Sequence, residues 1–335
     1  MALAKLAVSV ALITLVVRVF DVRGVMGHIA RIDAASAALA VGIALAAVPL
    51  QTARWLVVQV ESGTRLPFAR ALTIVLIGHF FNQTLPSSVG GDAMRMWCAH
   101  RAGMTPGSAV TTVILDRAAS LLGLLFLMAC GLPWLPGLVS DPVAGTAIVT
   151  AVVGGIGGFL VVALLTGSAR SFPQWRMMRP LSALLTSAHR VFTSPRCLLP
   201  ILLLGVAGGT AFSGIIFVLA RALGAELAMK DCLLLVPPVL LVSAVPVSVA
   251  GWGVREGAMV VALGLLGVAP DTAFSVSVLF GLVAAAASLP GAGLWLAGGY
   301  SSEGLKHAVN FAKEASMESA SAEDRARSGQ AHGKP

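Results

Sequence analysis

The feature that most restricts this chain is a succession of long apolar runs with almost no charge inside them. They fall at about 2–18, 33–60, 66–85, 107–135, 142–166, 197–222, 231–250, 255–268 and 273–298. Crossing the ~30 Å hydrocarbon core takes about 20 apolar residues in a helix. Most of the runs reach that length, and 255–268 falls short. Lipid offers no hydrogen bonds to the backbone, so runs of this kind fold as helices that satisfy their own. Only 11% of residues are charged, against about 25% in a soluble domain. The expected class is an all-α polytopic membrane protein, with aqueous phases that see short loops and a tail and no separate soluble catalytic domain.

The net charge is +8. In a membrane protein such an excess goes to cytoplasmic loops and anionic headgroups, so no nucleic-acid partner is expected. Cys98, Cys130, Cys197 and Cys232 have no C-x-x-C spacing and read as isolated apolar residues. The six histidines form no H-E-x-x-H or similar cluster, so neither a metal nor another cofactor is expected. Residues 1–20 have the charge-then-apolar pattern of a signal peptide. Arg18 follows the run at once and no A-x-A site is evident, which favours a retained first helix. The division expected is an integral membrane domain over 1–300 and a polar, disordered cytoplasmic tail over 301–335.

Two polar interruptions stand out because they match. Leu85-Pro-Ser-Ser-Val-Gly-Gly-Asp-Ala-Met-Arg95 and Val245-Pro-Val-Ser-Val-Ala-Gly-Trp-Gly-Val-Arg255 align Pro86 with Pro246, Ser88 with Ser248, Gly91 with Gly251 and Arg95 with Arg255. Positive charge sets orientation. Arg54, Arg65 and Arg70 flank one loop, Arg95 and Arg101 lie near the next, and residues 168–196 carry five arginines, in a stretch that suits a helix lying on the membrane surface. The link at 136–141 has Asp141 and no basic residue, so it fits the outside. Only the run 66–85 separates two basic stretches. That parity is repaired if 66–94 enters from the cytoplasm, breaks at Pro86–Gly91 and returns. Residues 231–268 would do the same from outside, breaking at Pro246–Gly253. Two broken or re-entrant hairpins of opposite insertion are the pattern of an inverted-topology repeat, and such repeats bind substrate where the broken helices meet.

Proline and glycine free backbone amides and carbonyls. A helix restarting after Gly91 or Gly253 aims its positive end into the membrane interior, which suits an anion such as a phosphate. Asp92 is placed to cap such a helix, with Arg95 on the same face. Arg255 and Glu256 are neighbours in sequence and are expected to need separate partners. Asp116-Arg117 lies inside another run, and Asn82 and Gln83 precede the first break, with His79 one turn earlier. The functional reading is a polar cavity lined by Asn82, Asp92, Arg95, Arg117, Arg255 and Glu256, with Pro86, Gly90, Gly91, Pro246, Gly251 and Gly253 as structural breaks. The structural reading is that these charges cap half-helices and pair across the repeat. Ionisable residues at membrane depth are expensive, which favours function. His79 reads as packing. Trp252 either lines the site or anchors a hairpin. Trp55, Trp134, Trp175 and Trp295 read as interfacial anchors, and Gly154–Gly158, Gly205, Gly208 and Gly209 as close helix contacts.

The order Asn82…Leu85-Pro…Gly90-Gly-Asp…Arg95, then Asp116-Arg117, then Pro246-x-Ser-x-x-Gly-x-Gly-x-Arg255-Glu256 resembles the flippase-like integral membrane domain of lysylphosphatidylglycerol synthases, which also has stand-alone members. The resemblance covers most of residues 1–300. It implies about eight membrane segments in the bacterial inner membrane, a cytoplasmic tail, and a role in moving or presenting lipids between leaflets, alongside lipid-biosynthesis enzymes as partners. No aminoacyl-transferase domain follows residue 300 here, so lysyl transfer is not expected. The expected activity is translocation of a lipid with an anionic headgroup, downhill or ion-coupled, with Asp92 and Glu256 as candidate proton carriers. A membrane enzyme or accessory factor using a lipid phosphate, and a small-solute transporter, are the alternatives. The oligomeric state is not legible.

Overall fold

The computed structural model describes residues 27, 32–60, 65–84, 90–139, 141–167, 179–244 and 253–298. Among these the chain is all-helical. The helices are α1 (Ala34–Gln59), α2 (Phe68–Thr84), α3 (Gly90–Arg101), α4 (Pro106–Gly131), α5 (Pro142–Gly167), α6 (Arg179–Thr193), α7 (Pro195–Ala222), α8 (Met229–Ala244), α9 (Val254–Gly264) and α10 (Pro270–Ala297). Five stretches are long and apolar enough to cross a membrane: Ala34–Gln59, Pro106–Leu138, Pro142–Ala163, Pro195–Ala222 and Pro270–Ala297. The chain is a multi-pass membrane protein. The run 2–18, the tail beyond 300, the arginine-rich stretch 168–178 with Trp175, and the break residues 85–89 and 245–252 lie outside the described residues. Pro86, Pro246, Gly251 and Trp252 are therefore without a structural account.

Local signals explain the helix starts. Asp33 caps α1, accepting from the Ser36 N–H at 2.8 Å, and hydrogen bonding from Ser36 holds this exposed carboxyl below the ordinary carboxylate range. Thr105 caps α4 ahead of Pro106, where the missing N–H costs nothing. Prolines also lie inside helices, at Pro49, Pro200, Pro237, Pro238 and Pro290. Neighbouring helices make that tolerable in a membrane bundle.

Of three apolar clusters among the described residues, two lie around the helices that follow the interruptions. One gathers α2 and α3 with Trp55 of α1, the start of α4 and the end of α10, where Trp295 meets the Phe81 and Trp97 rings at 4.9 and 5.9 Å. The other gathers α8, α9 and the first part of α10 with α7, Ala40 of α1 and Met128 of α4. Helices α1 and α10 thus run from one cluster to the other. Each of these two clusters holds the helix that follows one of the two interruptions.

Helices α2 and α3 are antiparallel neighbours. Gly91 lies against Asn82 and Gly78, and Arg95 lies against Gly78, so numbers rise in one helix as they fall in the other. At about 1.5 Å per residue, the 17 residues of α2 and the 12 of α3 are about 26 and 18 Å long. Both are shorter than the ~30 Å hydrocarbon thickness.

Two expectations about individual residues change. Trp55 is fully buried, so it is not an interfacial anchor; Trp295 is half-buried against Phe81 and Trp97, and Trp134 is 61% exposed. Of the glycines, Gly123 and Gly205 do form a close crossing, since a Cβ on Gly123 would stand 2.5 Å from the Gly205 Cα. Gly208 instead opens onto empty space, as do Gly154, Gly157 and Gly158. We predict that Gly123→Ala lowers stability by about 1–3 kcal/mol through overpacking, read as a fall in Tm of purified protein in detergent, while Gly208→Ala leaves Tm unchanged.

A second prediction concerns sidedness. Arg101 and Lys230 are both exposed at helix ends. If the interrupted segments insert from opposite faces, cysteines introduced at 101 and 230 are labelled by a membrane-impermeant maleimide from opposite sides. Labelling of both from one side overturns the arrangement.

Candidate functional site

Charged side chains from three helices, α1, α3 and α4, meet in the interior. Asp116 has no exposed surface and holds two arginines at once, each on a different oxygen. Arg54 Nε of α1 donates to Oδ1 at 2.9 Å, and Arg95 Nη2 of α3 donates to Oδ2 at 2.9 Å. One helical step on, Arg117 makes a two-point contact with Asp92 of α3. Its Nε and Nη2 donate to Oδ2 and Oδ1 at 2.7 and 3.0 Å, the fork geometry that makes arginine–carboxylate pairs strong. Arg95 Nη1 stands 3.7 Å from Asp92 Oδ1, which ties the two pairs into one network.

The surroundings are built for Arg95. Its stem lies where a Cβ on Gly78 would be, 2.5 Å from the Arg95 Cγ. Its guanidinium sits 4.7 Å from the centre of the Trp55 ring, a favourable cation–π placement when desolvated. Its Nε and Nη1 are buried and make no hydrogen bond. Taken together, three arginines face two aspartates. The network carries one positive charge more than it neutralises.

The two helix restarts are capped from within. Asn82 Oδ1 of α2 accepts the Gly91 N–H at 3.1 Å, so the first half-helix is capped by its own hairpin partner and not by Asp92. Gly91 is required there, because a Cβ would stand 2.2 Å from the Gly78 carbonyl oxygen. At the second restart Gly253 has φ of 89°, a region that favours glycine, and its N–H donates to Glu256 Oε2. Sequence adjacency suggests separate partners for Arg255 and Glu256. Instead they pair with each other: Arg255 Nη2 and Nε donate to Glu256 Oε1 at 2.7 and 3.1 Å. The long arginine stem folds back far enough to offset the 100° between successive helix positions. Ser277 of α10 also donates to that oxygen, at 3.4 Å.

A cavity of about 180 Å³ lies between α1, α2, α4, α7 and α10. Arg54, Asp116 and Arg117 form its charged wall, with Gln51, His79, Gln83, Ser120 and Ser288 as neutral polar groups and Phe212, Phe280 and Leu204 among the apolar ones. His79 Nε2 lies 2.7 Å from Gln51 Oε1, so His79 belongs to the site and not merely to the packing. Arg117 is the wall residue anticipated from sequence, and its side chain is 48% exposed. Among the described residues, Asn82, Asp92 and Arg95 stand behind that wall, spent on a cap and on ion pairs. Arg255 and Glu256 are not part of its lining, but Phe280, which is, has its ring 5.5 Å from the Arg255 guanidinium. Arg54 and Gln51 were not anticipated. Arg54 looks like a loop-flanking charge, yet it is 6% exposed, and its spacing of 62 residues from Asp116 leaves no local trace. Arg65 and Arg70, in contrast, are exposed.

A sequence model described as the lysylphosphatidylglycerol synthase TM region matches residues 2–291. The chain belongs to this family. Among curated proteins, none matches it in sequence. The family match spans the whole network just described, so the paired interruptions, Asp116-Arg117 and Arg255-Glu256 all lie inside the lysylphosphatidylglycerol synthase TM region.

Asp116 is the residue whose loss the network tolerates least. Removing one partner of a buried ion pair leaves an uncompensated charge and typically costs about 3–5 kcal/mol; here two arginines would be stranded. Asp116→Ala is therefore expected to be strongly destabilised or to fail to accumulate, as read by size-exclusion chromatography and thermal denaturation. Normal yield and Tm for that variant would show that the network does not hold these helices together.

Proposed function

We propose that this protein is a lipid translocase that carries the headgroup of an anionic lipid between the leaflets of the bacterial inner membrane. The observation that supports this most is the cavity with its surplus of positive charge, placed near the middle of three long apolar helices. Asp116–Ser120 lie about 15–21 Å from the start of α4 by helical rise. Gly208 and Phe212 sit midway along α7, and Phe280–Ser288 midway along α10. A charged cavity at that depth is costly unless it serves a substrate. The family's link to lysylphosphatidylglycerol synthases supports lipid as the cargo.

In this reading about eight segments form the domain, with α2–α3 and α8–α9 as the two re-entrant hairpins and the tail in the cytoplasm. The short antiparallel pair α2–α3 supports the first hairpin. Arg117 meets the phosphate, since it is the arginine with open surface. Arg54, Arg95, Asp92 and Asp116 fix its position and supply the surrounding field, acting as positioning residues. Asn82 and Glu256 hold the two half-helices in place. Arg255, behind Phe280, is the counterpart of Arg95 and would approach the cargo when the second hairpin moves. Movement of the hairpins against α1, α7 and α10 would expose the site to each leaflet in turn.

The decisive assay is transbilayer movement of a headgroup-labelled anionic lipid in proteoliposomes. Arg117→Gln removes the charge and leaves Asp92 only Arg95 at 3.7 Å; we expect at least a tenfold loss of rate in protein that still elutes as folded, with Tm measured alongside to separate lost transport from lost stability. Full rate in that variant overturns the role given to Arg117. Chemical conversion of the lipid without transbilayer movement points to an enzyme, and uptake of a soluble solute without lipid movement points to a small-solute transporter.

A further inference from the structure

Among the described residues lining the cavity, His79 is the one whose side-chain type ordinarily changes charge between pH 5 and 8. It is half-buried and sits on α2, in the first hairpin. Its Nε2 lies 2.7 Å from Gln51 Oε1 of α1. With a carbonyl oxygen as the partner, Nε2 carries the hydrogen. In the neutral ring Nδ1 is then an acceptor, and among the described residues it has no donor. Taking up a proton leaves the bond to Gln51 intact and turns Nδ1 into a second donor. The wall gains a donor and a positive charge without any movement of the ring.

Charges face this corner from three helices. Arg54 of α1 and Asp116 and Arg117 of α4 lie on the cavity wall. Arg95 of α3 packs its stem on Gly78, beside His79, and Asp92 of α3 is bonded to Arg117. Among the described residues, α7 and α10 bring only neutral groups to the wall. The arginines oppose a positive charge on the ring and the aspartates favour one. An anion held by Arg117 adds to the favourable side. Linkage is reciprocal, so a proton on His79 strengthens the hold on the anion by the same factor.

The carboxylates expected from sequence to carry protons are less suited. Both oxygens of Asp92 accept from Arg117, and the oxygens of Glu256 accept from Arg255 and the Gly253 amide. A proton on either carboxylate displaces a bond already made. His79 also lies one turn before Asn82, which caps the restart at Gly91. Its bond to Gln51 therefore ties the hairpin to α1, the helix against which the hairpin would move.

Resting on the reading of the cavity as a site for an anionic lipid headgroup, we propose that His79 is the proton-coupling residue of this site. Nδ1 gains a proton from the aqueous phase where the lipid enters and returns it to water on the side where the lipid leaves. Anion and proton cross together, and a pH gradient drives the lipid from the acidic side to the alkaline side.

The test uses the full chain and phosphatidylglycerol, a phosphodiester that keeps one charge between about pH 5.5 and 8, whereas a phosphomonoester titrates near about 6. Calorimetric titration with the short-chain lipid in detergent, in two buffers of different ionisation enthalpy, counts the protons taken up on binding. The unmodified chain is expected to take up protons and to bind at least about fivefold tighter at pH 5.5 than at pH 8. His79→Gln retains an N–H for Gln51 and is expected to bind with one affinity at both pH values and to take up none. If its Tm shows poor folding, His79→Asn serves with the same expectation. In proteoliposomes with an imposed pH gradient, the unmodified chain gathers labelled lipid in the leaflet facing the alkaline side beyond the protein-free control, and the variant ends with equal leaflets whatever its rate. Equal affinity at both pH values with no proton uptake by the unmodified chain overturns the coupling and leaves lipid translocation standing. Proton uptake that survives His79→Gln overturns the assignment to His79. Proton-linked binding that the variant loses, without transbilayer movement, keeps His79 as the proton-linked group and overturns the translocase reading. Absence of binding at either pH overturns both.

Discussion

Asp116 is the point on which the interior depends. It lies on α4, has no exposed surface, and binds Arg54 from α1 and Arg95 from α3. In a hydrocarbon setting neither arginine can be left to water, so each must find an anion within the protein. One carboxylate therefore dictates where two other helices lie. The Arg117–Asp92 pair repeats the logic one residue along and draws α3 to α4 a second time. Gly78 and Trp55 follow from this arrangement: the first gives the Arg95 stem its space, and the second covers the guanidinium with an aromatic face.

The two interrupted segments share a design but not an identical environment. Each restarts as a short helix whose first amide is capped by a side-chain oxygen, and each places an arginine a few residues later. In the first half the cap is Asn82, on a different helix, and the arginine is matched by carboxylates from elsewhere. In the second half cap and counter-ion are the same residue, Glu256. The first solution binds helices together. The second pairs two neighbours on α9, with Ser277 of α10 donating to the shared carboxylate. This difference explains why the cavity forms beside the first network, with Phe280 between it and Arg255.

Much of this could be read from the residues in order. The apolar runs gave helices because only a helix satisfies its backbone in lipid. The expense of charge at depth singled out Asp92, Arg95, Arg117, Arg255 and Glu256. Arg54 and Gln51 escaped because they sit near the end of an apolar run, where an arginine reads as a topology signal. His79 escaped because a lone histidine on an apolar face is ordinarily packing. Trp55 was misplaced for the same reason as Arg54: proximity to a run's end suggests an interface, whereas the helix continues through it to Gln59.

The sequence by itself determined that the chain is a helical membrane protein, that two matching segments break its helices, and that a handful of charges lie where charge is costly. These follow from composition, periodicity and local backbone chemistry. Only the tertiary structure decided which charge meets which. Ion pairs between residues 62 positions apart leave no periodic trace. Whether a carboxylate is free to bind a cation or already holds two arginines depends on distances between helices, and helix packing sets those distances.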